Sequence, residues 1–133
     1  DVSVKDWKTV GMPAEAANAI DGDPQTVWTA KALTPLVVDM GKASEVIGFS
    51  YAPAQKEDLT GTIYKYNFYV SIDGKNWTKC DASGEFSNIM HNPVPYFVRF
   101  GKKYPARYFK LEPAAEINNK PATTVGEVGI LLK

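Results

Sequence analysis

The chain has 133 residues, 44% of them hydrophobic, with 15 basic and 15 acidic side chains and a formal charge of zero. At this size a domain buries roughly two-thirds of the surface its unfolded chain exposes, so one core suffices without disulfide staples, and the single cysteine, Cys80, rules out an internal disulfide. Balanced charge leaves no footprint for a nucleic-acid backbone or an anionic membrane, and apolar runs such as Leu36-Val37-Val38 fall far short of the ~20 residues a membrane helix needs, which excludes nucleic acid and membrane insertion.

The sequence starts at Asp1 with neither Met nor an apolar leader, and the expectation is a domain cut from a longer protein. Ala14 to Ile20 is the one helical stretch: Pro13 suits a first turn, where its missing N–H costs little, and alanines fill the body for one or two turns. The next residues, Asn18-Ala19-Ile20-Asp21-Gly22-Asp23-Pro24-Gln25-Thr26-Val27-Trp28, crowd oxygen donors into a turn ahead of a large apolar anchor. An oxygen-rich set without cysteine suits calcium rather than zinc, because calcium takes six to eight carboxylate, hydroxyl and carbonyl oxygens in flexible geometry. On the residues alone a plain Asp-Gly turn, with carboxylates capping backbone N–H groups, stands equally beside a cation site.

From here strand signals dominate, at Leu36 to Met40 and Val46 to Ala52 first. The firmest lies where Tyr64, Tyr66, Phe68, Val70 and Ile72 alternate with Lys65, Asn67 and Ser71, the two-residue period of a half-buried strand. It runs into Asp73-Gly74, which predicts a tight hairpin turn before a short strand at Trp77 to Cys80. Further strands are predicted at Tyr96 to Phe100, Arg107 to Glu112 and Val125 to Leu132. Many short strands with turn residues between them, and no linker or repeat, predict one all-β domain over 1–133, a sandwich or jelly roll with one short helix.

Catalytic signals are poor. His91 is the only histidine, in the loop-like Asn88-Ile89-Met90-His91-Asn92-Pro93, and without a second histidine or a nearby cysteine it anchors no zinc. It reads as a turn histidine, and Cys80, ending a strand, as a buried inert thiol. No nucleophile elbow, phosphate loop or dinucleotide fingerprint is present, and Glu57-Asp58 reads as a solvated pair rather than a glycosidase dyad. The chain is therefore expected not to be an enzyme.

Five motifs in order resemble the discoidin, or coagulation-factor type C, domains and most closely the family 32 carbohydrate-binding modules. They are Ala16 to Trp28; Leu36-Val37-Val38-Asp39-Met40-Gly41 with Val46 to Pro53; Tyr66 to Trp77; Ala106 to Leu111; and Val125 to Ile130. The resemblance implies an eight-stranded antiparallel jelly-roll sandwich, galactose-binding-domain-like. It also implies one structural calcium held by the Asn18 carbonyl, the Asp21 carboxylate, Asp23, the Thr26 carbonyl and hydroxyl, and Glu127 from the last strand.

Galactose-binding members of that family use a histidine and a tryptophan just after the Trp28-like residue, an arginine after the Pro53-like residue, a following asparagine and an aromatic in the last loop. This chain has Thr29, Ala32, Ala54, Gly61 and Ala122 at or near those places. Polar candidates left on the same rim are Lys31, Gln55, Lys56, Asn118, Asn119 and Lys120, each of which also reads as an ordinary solvated side chain. The function implied is a non-catalytic, monomeric carbohydrate-binding module that targets an attached glycoside hydrolase, secreted, periplasmic or on the cell surface, to a glycan. The alternative is a structural or interdomain packing module of the same fold with no glycan site.

Overall fold

The computed structural model describes residues 4–23, 25–81 and 83–133. Nine strand segments occur among them: β1 (Lys8–Thr9), β2 (Trp28–Ala30), β3 (Leu36–Ala52), β4 (Ile63–Ser71), β5 (Thr78–Lys79), β6 (Gly84–Glu85), β7 (Tyr96–Glu116), β8 (Thr123–Val125) and β9 (Glu127–Leu132). All pair antiparallel, apart from an isolated parallel bridge between Thr62 and Thr124. The expected antiparallel jelly-roll sandwich is what forms.

Two long strands build both layers. The first half of β3 pairs with β1 (Thr9 opposite Val38) and with the second half of β7 (Val38 opposite Phe109), which continues to β4 (Val70 opposite Phe109). Its second half pairs with the first half of β7 (Phe49 opposite Val98) and with β9 (Phe49 opposite Ile130). Register shifts between Asp39 and Ser44, and between Val46 and Gly48, mark where β3 bends from one layer to the other. The separately predicted strands at Leu36 to Met40 and Val46 to Ala52 are thus halves of one, as are those at Tyr96 to Phe100 and Arg107 to Glu112. Bulged strands bend and twist locally, which lets one chain serve two sheets.

Aromatic side chains fill the space between the layers. Phe49 from β3 stacks on Phe68 from β4 with ring centroids 4.2 Å apart, Phe68 stacks on Phe109 at 5.6 Å, and Tyr66 and Phe86 close the cluster at 4.6 Å. Face and edge contacts at these spacings add about 0.5–1.5 kcal/mol per pair beyond area burial. At the loop end the buried Tyr51 hydroxyl donates to the Thr124 carbonyl (2.7 Å) and accepts the Ile63 N–H (3.0 Å), tying β3, β8 and β4 together.

Two local expectations are refined. Ala14–Ala19 is a 3-10 helix, its buried Ala16 and Ala19 facing the core. The turn after β4 is longer than a two-residue hairpin: only Gly74 of the Asp73-Gly74 pair takes a positive φ (+75°), and β5 begins at Thr78. Asp73 organises the turn instead, its Oδ1 accepting the N–H groups of Lys75 and Asn76, both at 2.8 Å. Those bonds hold its carboxyl well below the usual carboxylate range.

Candidate functional site

The 3-10 helix and β2 bring Asn18, Asp21, Asp23 and Thr26 onto one turn, with Trp28 beyond it fully buried as the anchor. Gly22 takes φ +81°, where an L side chain is strained, and that reversal folds the acids back on themselves. The Thr26 hydroxyl lies within hydrogen-bond reach of the Asn18 carbonyl (3.4 Å), the Asp23 carbonyl (2.9 Å) and Asp21 Oδ2. A hydroxyl has one proton to give, so at least two of these three oxygens face it with no hydrogen between.

Glu127, at the start of β9, completes the cluster. Its Oε2 accepts the Gly22 N–H at 2.9 Å, while the buried Oε1 has no hydrogen-bond partner. Burial above all, with the Asp21 and Asp23 charges adding to it, pushes the Glu127 carboxyl up to about 7 against the pull of the Gly22 N–H. The loop is short of positive charge as built. Among the described residues no three His, Cys, Asp or Glu side chains converge as a metal nest by themselves; the cluster mixes carboxylate, hydroxyl and main-chain carbonyl oxygen, a donor set that fits calcium. Asn18, Asp21, Asp23, Thr26 and Glu127, grouped in the sequence by resemblance, meet in one cluster; for Asp23, where the resemblance specifies no atom, the carboxylate turns to the Gln25 N–H (2.9 Å) and it is the carbonyl that faces Thr26.

The six rim candidates are all exposed but do not form one patch. The loop after β2 is fixed to β8 by Thr123, whose hydroxyl donates to the Ala32 carbonyl (2.8 Å) and accepts the Thr34 N–H (2.9 Å). A groove of about 290 Å3 runs between this loop and the one after β7, lined by Leu33, Ala115, Glu116, Asn119, Lys120 and Pro121. Asn119 and Lys120 thus enter a shared site. Lys56 does not line the groove; its charge, like that of Lys120, bears on the Asp58 carboxyl, which is held low first by its bonds to Thr60. Gln55 is spent elsewhere, its amide donating to the carbonyls of Pro53 (3.0 Å) and Pro93 (3.2 Å). Lys31 and Asn118 do not line the groove.

Two residues unmarked in the sequence matter more. Leu33 is 41% exposed at the groove, one residue from the place where the family's tryptophan was sought. Glu116 is 2% exposed, its Oε2 accepting the Gly61 N–H (2.8 Å) and its Oε1 the N–H groups of Asn118 and Lys120 (3.0 Å to the latter). It shapes the loop that carries Asn118 to Lys120. Its place among apolar residues at the end of a long strand gave no period or spacing to mark it. The isolated reactive groups read as expected: Cys80 is buried, with burial first and Asp81 second pushing its thiol up to about 12, and His91 is exposed in a turn, its N–H on the Asn88 carbonyl (3.1 Å).

The model of the F5/8 type C domain family matches residues 3–128. The chain belongs to that family. As an F5/8 type C domain it has the sandwich of the third family 32 carbohydrate-binding module from a family 31 glycoside hydrolase of Clostridium perfringens, with a TM-score of 0.84 at 19% identity over 99% of this chain and 94% of that one. The family 32 module of C. perfringens NanJ, solved in complex with galactose, is similar with a TM-score of 0.79 at 20% identity, over 97% and 96% of the two chains. Among curated proteins, the galactose oxidase of Gibberella zeae is 28% identical over 141 residues, 97% of this chain and 20% of that enzyme. The chain spans about a fifth of the length of the curated relatives it matches.

Proposed function

We propose that this domain is a glycan-binding module, stabilised by one calcium ion and attached to a catalytic domain that it holds near a glycan-bearing surface. The observation that carries the binding reading is the groove between Leu33 and the Asn119-Lys120-Pro121 segment, where two loops at one end of the sandwich meet with an apolar wall and polar edges. Structural likeness to the galactose-complexed NanJ module supports the same reading. With Thr29, Ala32 and Ala54 at the family's galactose positions, and Ala54 buried, the sugar recognised is not held by the usual histidine, tryptophan and arginine. A tethered weak binder raises the local concentration of its partner enzyme without needing high affinity of its own. A monomer at the cell surface or outside the cell suits that role.

Calcium would be held by the Asn18 carbonyl, Asp21, Asp23, Thr26 and Glu127, and would supply charge neutralisation, nothing more. Glu127 ties the loop to β9, so the ion's effect is on stability. A glycan array followed by calorimetry on the domain tests the binding reading, with Lys120→Ala and Leu33→Ser as groove variants. Binding to a glycan that both variants weaken is the expected result. Silence across galactosides, glucosaminides and fucosides overturns it.

One observation favours a second reading, packing against a neighbouring domain. Phe97 is 66% exposed on the outer face of β7, opposite Ser50, with Val94 exposed close by in sequence. A partner domain covering that face is the outcome left if no glycan binds.

A further inference from the structure

A second groove, of about 330 Å3, lies beside the first and shares none of its lining. Its walls are Tyr64 on β4, the turn Asn88-Ile89-Met90-His91, and Ile117. The loop that begins at Ile117 and reaches Pro121 therefore contributes to both grooves, one on each flank.

Every wall is held from behind. Tyr64 is fixed on its strand, its carbonyl accepting the Phe86 N–H (2.8 Å) and its hydroxyl donating to Glu85 Oε2 (3.0 Å), so the ring has little freedom. The turn is anchored by the buried Ile89, and the Asn88 carbonyl, at φ +66°, accepts the N–H groups of His91 (3.1 Å) and Asn92 (2.9 Å). What the turn presents is different. Met90 is 41% exposed, and among the described residues neither the Asn88 amide nor the His91 ring makes a side-chain hydrogen bond. The groove thus joins a rigid aromatic ring and a soft thioether to two polar side chains with donors and acceptors to spare.

Those parts match one ligand chemistry. A pyranose has an apolar ring face that packs on an aromatic, and equatorial hydroxyls that both donate and accept, as an amide and a neutral imidazole do. The six lining residues carry no carboxylate, lysine or arginine; at the edge, Glu85 is engaged by the Tyr64 hydroxyl and Lys65 sets its Nζ 5.7 Å from the Tyr64 ring centroid. With no charged side chain in the lining itself, the ligand expected is neutral. The volume lies in the range of small-molecule sites.

We propose that the Tyr64–His91 groove is a sugar site for one neutral pyranose, stacked on Tyr64 and Met90 and hydrogen-bonded by Asn88 and His91. It stands on residues apart from those of the rim groove, so it holds whether or not the rim binds.

The test is an amide-shift titration of the 15N-labelled chain with methyl β-D-galactopyranoside, methyl β-D-glucopyranoside and methyl α-L-fucopyranoside, taken to about 50 mM so that a Kd of order 10 mM is visible. Saturable shifts at Tyr64, Asn88 to His91 and Ile117 with at least one sugar are expected. Tyr64→Ala and His91→Ala should each weaken them about tenfold, the loss of one aromatic or polar contact, with a dispersed spectrum showing that each variant is folded. Shifts confined to Leu33, Asn119 and Lys120 overturn this site and leave the rim reading standing; shifts here with a silent rim do the reverse. No shift in the groove with any of the three sugars, or shifts undiminished in both variants, also overturns it.

Discussion

Two loops of this domain are held by the same device, a carboxylate reaching back to main-chain N–H groups, and they differ in how completely it is satisfied. Glu116 gives both oxygens to three N–H donors, on Gly61, Asn118 and Lys120. Glu127 gives one oxygen to Gly22 and leaves the other buried and unmatched, beside a threonine hydroxyl surrounded by more acceptors than it has protons. A satisfied buried carboxylate shapes a loop by itself, whereas an unsatisfied one calls for a positive charge to finish the job. The rim loop is therefore self-sufficient and its exposed side chains are free for recognition. The Asn18 to Thr26 loop keeps one buried carboxylate oxygen unmatched, and under the calcium proposal its role is in stability.

The sharpest break of this contrast is Glu116→Ala. Leaving three N–H groups without their buried acceptor should cost about 3–5 kcal/mol in urea unfolding, with Glu116→Gln recovering part of it. A loss under 1 kcal/mol, on the scale of an ordinary surface change, would mean that the loop does not depend on Glu116. Calcium comes next. At a hundredfold excess over its Kd the ion should add about 2.7 kcal/mol and raise the melting temperature by on the order of 10 °C, a gain that a chelator reverses and Glu127→Gln removes. A melting temperature indifferent to chelator rejects the calcium reading.

A middle case is Asp39, whose two oxygens meet the Arg107 guanidinium at 2.9 and 3.1 Å. That hydrogen bond, ahead of the Gly41 N–H and the Arg107 charge, holds the Asp39 carboxyl below its ordinary range, though burial opposes it. A lowered folded-state pKa means the unfolded chain binds the proton more readily, so this stabilisation is present above the ordinary carboxylate pKa and fades as pH falls through the lower folded value. With Arg107 about half exposed, solvent screening limits it to about 1 kcal/mol or less. Asp39→Asn should flatten the acid limb of stability against pH by that amount, and an unchanged limb would place the acid sensitivity elsewhere. Smallest of all is Lys120→Ala, expected to leave stability within about 0.5 kcal/mol while weakening glycan binding in calorimetry. A stability loss comparable to that of Glu116→Ala would show that the rim loop is not free for recognition.

How much of this was legible in the sequence follows from what each feature leaves as a pattern. Tyr64 to Ile72 alternates over nine residues and was found within one residue of β4 (Ile63–Ser71). The halves of β3 and β7 were found but not joined, because Gly41 to Glu45 and Gly101 to Lys103 are largely exposed and bent, which erases the alternation. Strands of two residues, such as β1 and β6, are too short to show a period at all. The oxygen-rich cluster was legible because Asn18, Asp21, Asp23 and Thr26 fall within nine residues, with only Glu127 distant. The rim was legible only in part: Asn119 and Lys120 were named, but Leu33 and Glu116 join them only through tertiary contacts and carry no local signature. The Tyr64–His91 groove is the same case again: His91 was rightly read as a turn residue, and nothing in its neighbours announced Tyr64 across the turn.

Because β3 (17 residues) and β7 (21 residues) each run through both layers, neither layer can separate without breaking the hydrogen bonds of the other. Amides as far apart as Val38 and Ile130 should then exchange with solvent through one shared opening event, at rates set by the global unfolding free energy. Proteases reach a folded domain through its partial openings, and this one has few to offer short of complete denaturation.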